Sequence, residues 1–182
     1  MARTLLFVVT AFASLSLSGQ QASVKRINIG TEQDLLPYVT SGYFAGIWAG
    51  KSHVRVRAIT ARVHKPDFII EKGFTNNKVS AYALLTDYFI KNDWKGWWAG
   101  TGVVYWKSTI QTNKKEQTAN YDTWLLNGSI GYSFKIYGNL YFSPWCALHI
   151  RLGGDKHILV DAKTFDPPLL NPEASVKFGI YF

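Results

Sequence analysis

Cysteine is almost absent. One residue, Cys146, among 182 excludes an intramolecular disulfide framework and any multi-cysteine metal site. Charge is also scarce, at 18% Asp, Glu, Lys and Arg, against about a quarter in ordinary soluble domains. No long apolar run follows the first 21 residues, so the rest of the chain holds no spanning helix. The four histidines, His53, His64, His149 and His157, show no metal-ligand spacing, and neither a metal nor a cofactor is expected. What the chain has instead is aromatic: 15% Phe, Trp and Tyr, seven of them Trp, with fifteen Gly. Such a composition excludes disorder. The excess of 20 basic over 12 acidic residues gives +8, yet no nucleic-acid motif accompanies it and no nucleic-acid partner is expected.

The first residues read as an address. Arg3 is followed by a short apolar stretch, Leu5 to Leu17, and then by Ser18, Gly19, Gln20 and Gln21. This is the pattern of a cleaved signal peptide, residues 1–21, with the cut between Ser18 and Ala22. Thirteen residues are too few for the ~20 of a spanning helix. Residues 22–182 then form a single domain.

That domain reads as strands, because apolar residues recur with a period of two. Ala174, Val176, Phe178, Ile180 and Phe182 alternate with Ser175, Lys177, Gly179 and Tyr181. Leu140, Phe142, Pro144, Cys146, Leu148 and Ile150 alternate with Tyr141, Ser143, Trp145, Ala147, His149 and Arg151. Trp124, Leu126, Gly128, Ile130, Tyr132 and Phe134 form a third such face. Further strands are expected near 42–50, 54–64, 78–90 and 97–110. Tight connections fall at Lys51–His53, Lys91–Trp94 and Lys135–Gly138, and longer polar links at 65–77, 111–120 and 151–173. An all-β, antiparallel up-and-down barrel is the simplest topology.

Alternation does not say which face points outward. In a soluble barrel the apolar face is the core; in a membrane barrel it meets lipid and the lumen is polar. Three features favour the membrane. Aromatics gather near expected strand ends, where amphipathic rings settle at a lipid–water interface: Trp94, Trp97, Trp98, Tyr141, Tyr181 and Phe182. The face opposite the apolar one carries polar groups, giving Lys107, Asn127, His149, Arg151, Glu173 and Lys177 as lumen candidates. The chain also stops on Phe182, in register with Val176, Phe178 and Ile180.

This ending, VKFGIYF, resembles the C-terminal assembly signal of bacterial outer-membrane β-barrels. The chain is similar in size to the small OmpX and OmpW kind. The resemblance implies a transmembrane barrel in the bacterial outer membrane, inserted by the barrel-assembly machinery and surrounded by outer-membrane lipids including lipopolysaccharide. Placing Arg151–Glu173 as one outer loop and a first strand near Val24–Gly30 gives eight strands, with every tight turn on the periplasmic side. Making His157–Phe165 a strand instead also gives eight, but puts long links in the periplasm.

Eight strands leave a lumen just wide enough for side chains to fill, so a wide pore is not expected. A structural or binding role in the cell envelope fits best. Lipid-modifying chemistry is one alternative. Ser143, His149 and a carboxylate such as Glu173 or Asp87 carry the right groups for it, although Ser143 and His149 sit roughly 20 Å apart at ~3.3 Å per residue. A soluble exported barrel carrying an apolar ligand is the other alternative. Arg55, Arg57, Arg62, Lys114 and Lys115, if outward, would meet lipopolysaccharide phosphates.

Overall fold

The computed structural model describes residues 26–114 and 117–182. The expected signal segment and the start of the expected first strand lie outside the described residues. Eight strands run antiparallel around a closed ring: β1 (Asn28–Asp34), β2 (Tyr43–Lys51), β3 (Val54–His64), β4 (Phe74–Phe89), β5 (Gly96–Thr112), β6 (Thr118–Tyr137), β7 (Leu140–Gly154) and β10 (Leu170–Tyr181). Each strand pairs with its chain neighbours, and β10 closes onto β1 through Gly30–Tyr181 to Asp34–Lys177. The first strand therefore lies four residues later than Val24–Gly30. The stretch His157–Phe165 contains two short strands, β8 (Ile158–Val160) and β9 (Lys163–Phe165). They pair only with each other and lie outside the ring.

The turns sort by length as the first strand count requires. At one end the connections are 52–53, 90–95 and 138–139, together with the start of β1 and the end of β10. Phe182 and Ile29 exchange both backbone hydrogen bonds there. At the other end lie the long links. One of these is a short helix, α1 (Leu35–Val39), between β1 and β2.

The apolar faces point outward. Val56, Leu84, Val103, Leu126, Ile130, Leu148 and Phe178 are all exposed, while Glu32, Arg55, Arg57, Asp87, Asn127 and Lys177 are buried. This inverts a soluble protein, in which buried charges are rare and apolar groups fill the core.

Exterior aromatics form two rows. Near the short turns, rings follow one another from Trp97 to Tyr132 (5.3 Å), Phe134 (4.5 Å), Phe142 (4.7 Å) and Phe178 (6.3 Å). Toward the long links, Tyr82, Tyr105 and Trp124 follow in the same way at 6.5 and 4.7 Å. Trp97 and Tyr105 are eight residues apart on β5, as are Trp124 and Tyr132 on β6. That is roughly 26 Å along a strand. A tilt of roughly 40° leaves about 20 Å of height, near the ~25 Å apolar band of a membrane barrel.

The wall has uneven height. β4, β5 and β6 have 16, 17 and 20 residues, while β1 and β2 have 7 and 9. The β8–β9 hairpin lines the tall side, its Val160 and Phe165 packing with Phe74, Ile110 and Tyr121.

Candidate functional site

The short-turn half of the lumen is plugged. Trp48, Phe89, Trp94, Trp98 and Tyr141 form one buried cluster across it, with Trp145 and Tyr181 against them. Glycines make the room. A Cβ on Gly30 would lie 2.5 Å from the Trp48 ring, one on Gly50 2.5 Å from Trp94, and one on Gly131 2.5 Å from Trp98. Gly179 stands in the same relation to Tyr141. An eight-stranded lumen cannot hold four large rings unless the facing wall gives up its side chains.

Four of the six aromatics expected at the interface are thus elsewhere. Trp94, Trp98 and Tyr141 are 5, 1 and 3% exposed inside the plug, and Tyr181 packs against it. Only Trp97 and Phe182 are exposed. Phase is the reason: on β5 Trp98 falls on the inward row with Val104, and Trp97 on the outward row with Val103.

Above the rings sits an ionic cluster. Arg57 Nη1 lies 2.8 Å from Glu32 Oε1, and its Nε 2.7 Å from Asp87 Oδ2. Arg55 Nη2 lies 2.8 Å from Asp87 Oδ2, and its Nη1 3.3 Å from Glu32 Oε2. Tyr141 also donates to Glu32, at 3.1 Å, and accepts from Trp48 Nε1 at 3.1 Å. The Arg55 guanidinium lies 5.0 Å from the Phe89 ring centre, which adds a cation–π contact. Two cations and two anions in mutual contact compensate one another, the condition for burying charge. Arg55 and Arg57 therefore do not face headgroups, as an outward placement required; Val54 and Val56 take the outward row. Arg62 and Lys114 are exposed, and Lys115 lies outside the described residues.

Toward the long links the lumen opens into a cavity of about 520 Å³. Its floor is Arg57, Asp34 and Lys177. Its β3–β5 side is apolar: Ile59, Ala61, Val79, Ala83, Leu85 and Val104. The other side is polar, with Asn127, His149, Asn171 and Glu173, and Lys65 reaches in from the β3–β4 link. His149 Nε2 is 3.0 Å from Glu173 Oε2. Lys65 Nζ lies 4.4 Å from the Trp106 ring centre and donates to Asn171 Oδ1 at 3.3 Å. Asn127 is 1% exposed, and its Oδ1 has no partner among the described residues.

Of the six lumen candidates, Asn127, His149, Glu173 and Lys177 meet in this cavity. Arg151 lies on the same row at the rim, donating to the carbonyl of Pro167. Lys107 is exposed on the outer surface; on β5 the inward row is Val104, Trp106 and Ser108, and Lys107 is out of phase with it. The Ser143–His149–Glu173 set divides. His149 and Glu173 meet, while the Ser143 hydroxyl accepts from Trp98 Nε1 at 3.0 Å within the plug. Sequence reasoning missed Glu32, Asp34 and Lys65. It had weighed Arg55 and Arg57 only as outward groups. The alternation Val-Arg-Val-Arg at 54–57 held the signal, because an apolar row facing outward turns both arginines inward.

Burial pushes the Lys65 ammonium down to about 8, a shift that the neighbouring Glu173 partly opposes. Lys65 lies beyond the end of β3, outside the spanning strands. Among the described residues, no carboxylate lies within 4 Å of its Nζ.

No family model matches the sequence, and no curated protein matches it. Among solved structures, the crystal structure of Neisserial surface protein A is similar to this chain. The two are 11% identical, the match covers 85% of this chain and 92% of that one, and the TM-score is 0.45.

Proposed function

We propose that this protein is an integral outer-membrane β-barrel of a bacterial envelope that holds a small amphipathic ligand in the outward half of its lumen and does not conduct. The observation that carries the membrane placement is the pair of exterior aromatic rows bounding an apolar band. A water-soluble barrel has no use for rings at two heights on its outer surface, whereas lipid–water interfaces select them at both. The plug and ionic cluster support the absence of conduction, since they fill the lumen at the short-turn end. The cavity supports binding: its volume lies within the ~300–1,000 Å³ of small-ligand sites, and an apolar wall faces a polar one, which suits an amphipathic ligand.

In this reading the short turns are periplasmic and the long links face outward. Phe182, paired with Ile29, serves the assembly machinery as the end of the signal Val176, Phe178, Ile180 and Phe182. Lipids, including lipopolysaccharide, surround the exterior.

The test has two arms. Envelope fractionation places the protein with the outer membrane, and unheated samples migrate faster than boiled ones on gels. Release by mild buffer overturns the placement. For binding, Trp97→Phe with Trp124→Phe removes both exterior indoles and leaves five inside the barrel. In phosphatidylcholine vesicles, 9,10-dibromostearyl alcohol then quenches these saturably. Quenching that rises linearly, as from chains dissolved in the bilayer, overturns the cavity as a binding site.

A further inference from the structure

The cavity opens sideways as well as upward. β10 pairs with β7 along Leu170–Ile180, but with β1 only along Lys177–Tyr181. Residues 170–176 therefore have no strand partner on the β1 side. β2 likewise pairs with β1 only at 46–50. β1 ends at Asp34, and the chain turns into α1, which packs against β2, β3 and β10. A five-residue helix thus stands where a strand would close the wall.

The cavity lining records the gap. Glu173 and Lys177 contribute from the inward row of β10, and Pro172 and Ala174 from its exposed row. The other strands of the lining contribute their inward rows, whereas β10 contributes residues of both, as expected where the space passes an unpaired edge. Proline at that edge suits the gap, because proline has no N–H to offer a neighbouring strand. The outer face of α1 is apolar and exposed, at Leu35, Tyr38 and Val39, while Leu36, Pro37 and Thr40 line the cavity.

The helix is held across the gap at one place. The Asp34 carboxylate accepts from Leu36 N and from the Ser175 hydroxyl on β10, and Leu36 N also reaches Ser175 Oγ at 3.1 Å. Trp145 Nε1 donates to the second Asp34 oxygen at 2.6 Å.

We propose that the cavity takes a single-chain anionic amphiphile from the outer leaflet, admitted past the unpaired edge of β10 when the Asp34–Ser175 tie releases α1. The tail lies along Ile59, Ala83, Leu85 and Val104, and the head meets Lys65. The inference rests on the membrane placement above and adds the ligand class and its route. The space suits one chain, not the several chains of a lipopolysaccharide. The head is anionic because Lys65 faces the cavity with no carboxylate in contact among the described residues. The deeper cations, Arg55, Arg57 and Lys177, are matched in number by Glu32, Asp34 and Asp87, and Glu173, the remaining carboxylate of the lining, is in contact with His149 Nε2 at 3.0 Å and not with Lys65.

The experiment uses the full barrel with the Trp97→Phe and Trp124→Phe changes in phosphatidylcholine vesicles. The probes are 9,10-dibromostearic acid and the corresponding alcohol. The acid binds more tightly than the alcohol. Lys65→Gln lowers the acid's affinity about tenfold, the worth of a charge-assisted hydrogen bond, and leaves the alcohol's unchanged. Equal affinities, or equal loss for both, overturn the anionic head while the cavity reading stands. Failure of both probes to quench saturably overturns that earlier reading instead.

For the route, Ser175→Ala speeds the approach to equilibrium about fivefold, the worth of one hydrogen bond. Leu36→Cys with Ser175→Cys, in a Cys146→Ser background, stops quenching when oxidised and restores it on reduction. An unchanged rate in Ser175→Ala, or quenching through a disulfide shown formed by its gel shift, overturns the lateral route.

Discussion

Trp98 fills the space that a side chain at Gly131 would occupy, its ring 2.5 Å from where that residue's Cβ would stand. The pair sits on neighbouring strands, Trp98 directly opposite Gly131 in the β5–β6 register. On that same pleat the plug trades wall side chains for rings. Gly131→Ala should therefore overpack the lumen, at a cost of about 1–3 kcal/mol, since the Pro144 carbonyl 2.8 Å away cannot yield. Gly128, three residues earlier, faces outward with nothing within 4 Å, and Gly128→Ala should leave stability unchanged. Urea unfolding of the two variants in vesicles checks the contrast.

The ionic cluster makes a second prediction. Arg57→Leu leaves Glu32 and Asp87 to share Arg55 alone, with one anion uncompensated in a site where both are 1% exposed or less. Removing one partner of a buried pair costs about 3–5 kcal/mol, so the urea midpoint should fall steeply. The Lys95–Asp93 pair, half-exposed in a short turn at 3.7 Å, is the comparison; Asp93→Ala should move the midpoint by less than about 1 kcal/mol.

Lipid contact predicts a dependence on height. Leu126→Arg and Ile130→Arg place charge between the aromatic rows, and each should cost about 2–4 kcal/mol in vesicles. Leu159→Arg, on the β8–β9 hairpin where Leu159 is 70% exposed, should cost nothing measurable. A barrel that lived in water would tolerate all three alike.

The pH dependence of binding follows from Lys65. Its folded value of about 8 lies below the ordinary 10.5, so the charge present at neutral pH is lost as pH rises through 8. The other charged or titratable groups lining the cavity are Asp34, Arg57, His149, Glu173 and Lys177. Affinity for hexadecyl sulfonate, whose own charge is constant, should fall between pH 7 and pH 9. Lys65→Gln should bind weakly and evenly across that range. Unfolding does not explain the fall. Between about 8 and 10.5 the folded state holds fewer protons at Lys65 than the unfolded chain, so this group's contribution to stability rises with pH. Competition against the brominated alcohol, read by interior tryptophan quenching, measures both variants.

Alternation in the sequence settled the strand-forming segments and the two rows of β6, β7 and β10, because side chains on a pleat must point to opposite faces. Loop lengths favoured the assignment in which the short turns share an end, between two assignments that both gave eight strands. The first strand was misplaced by four residues because its clean pattern, at Ile29 to Asp34, is short and runs directly into α1.

Tertiary structure alone decided the rest. Whether Trp98 lies at an interface or in a plug depends on Gly131 across from it on β6, 33 residues away in the chain. Glu32 meets Arg57, and Asp34 meets Ser175, only because the ring brings β1 against strands both near and far in sequence. The gap beside β10 arises from a mismatch in strand length between elements at opposite ends of the chain. Local periodicity reports which way each residue faces, whereas ring closure and register determine what it faces.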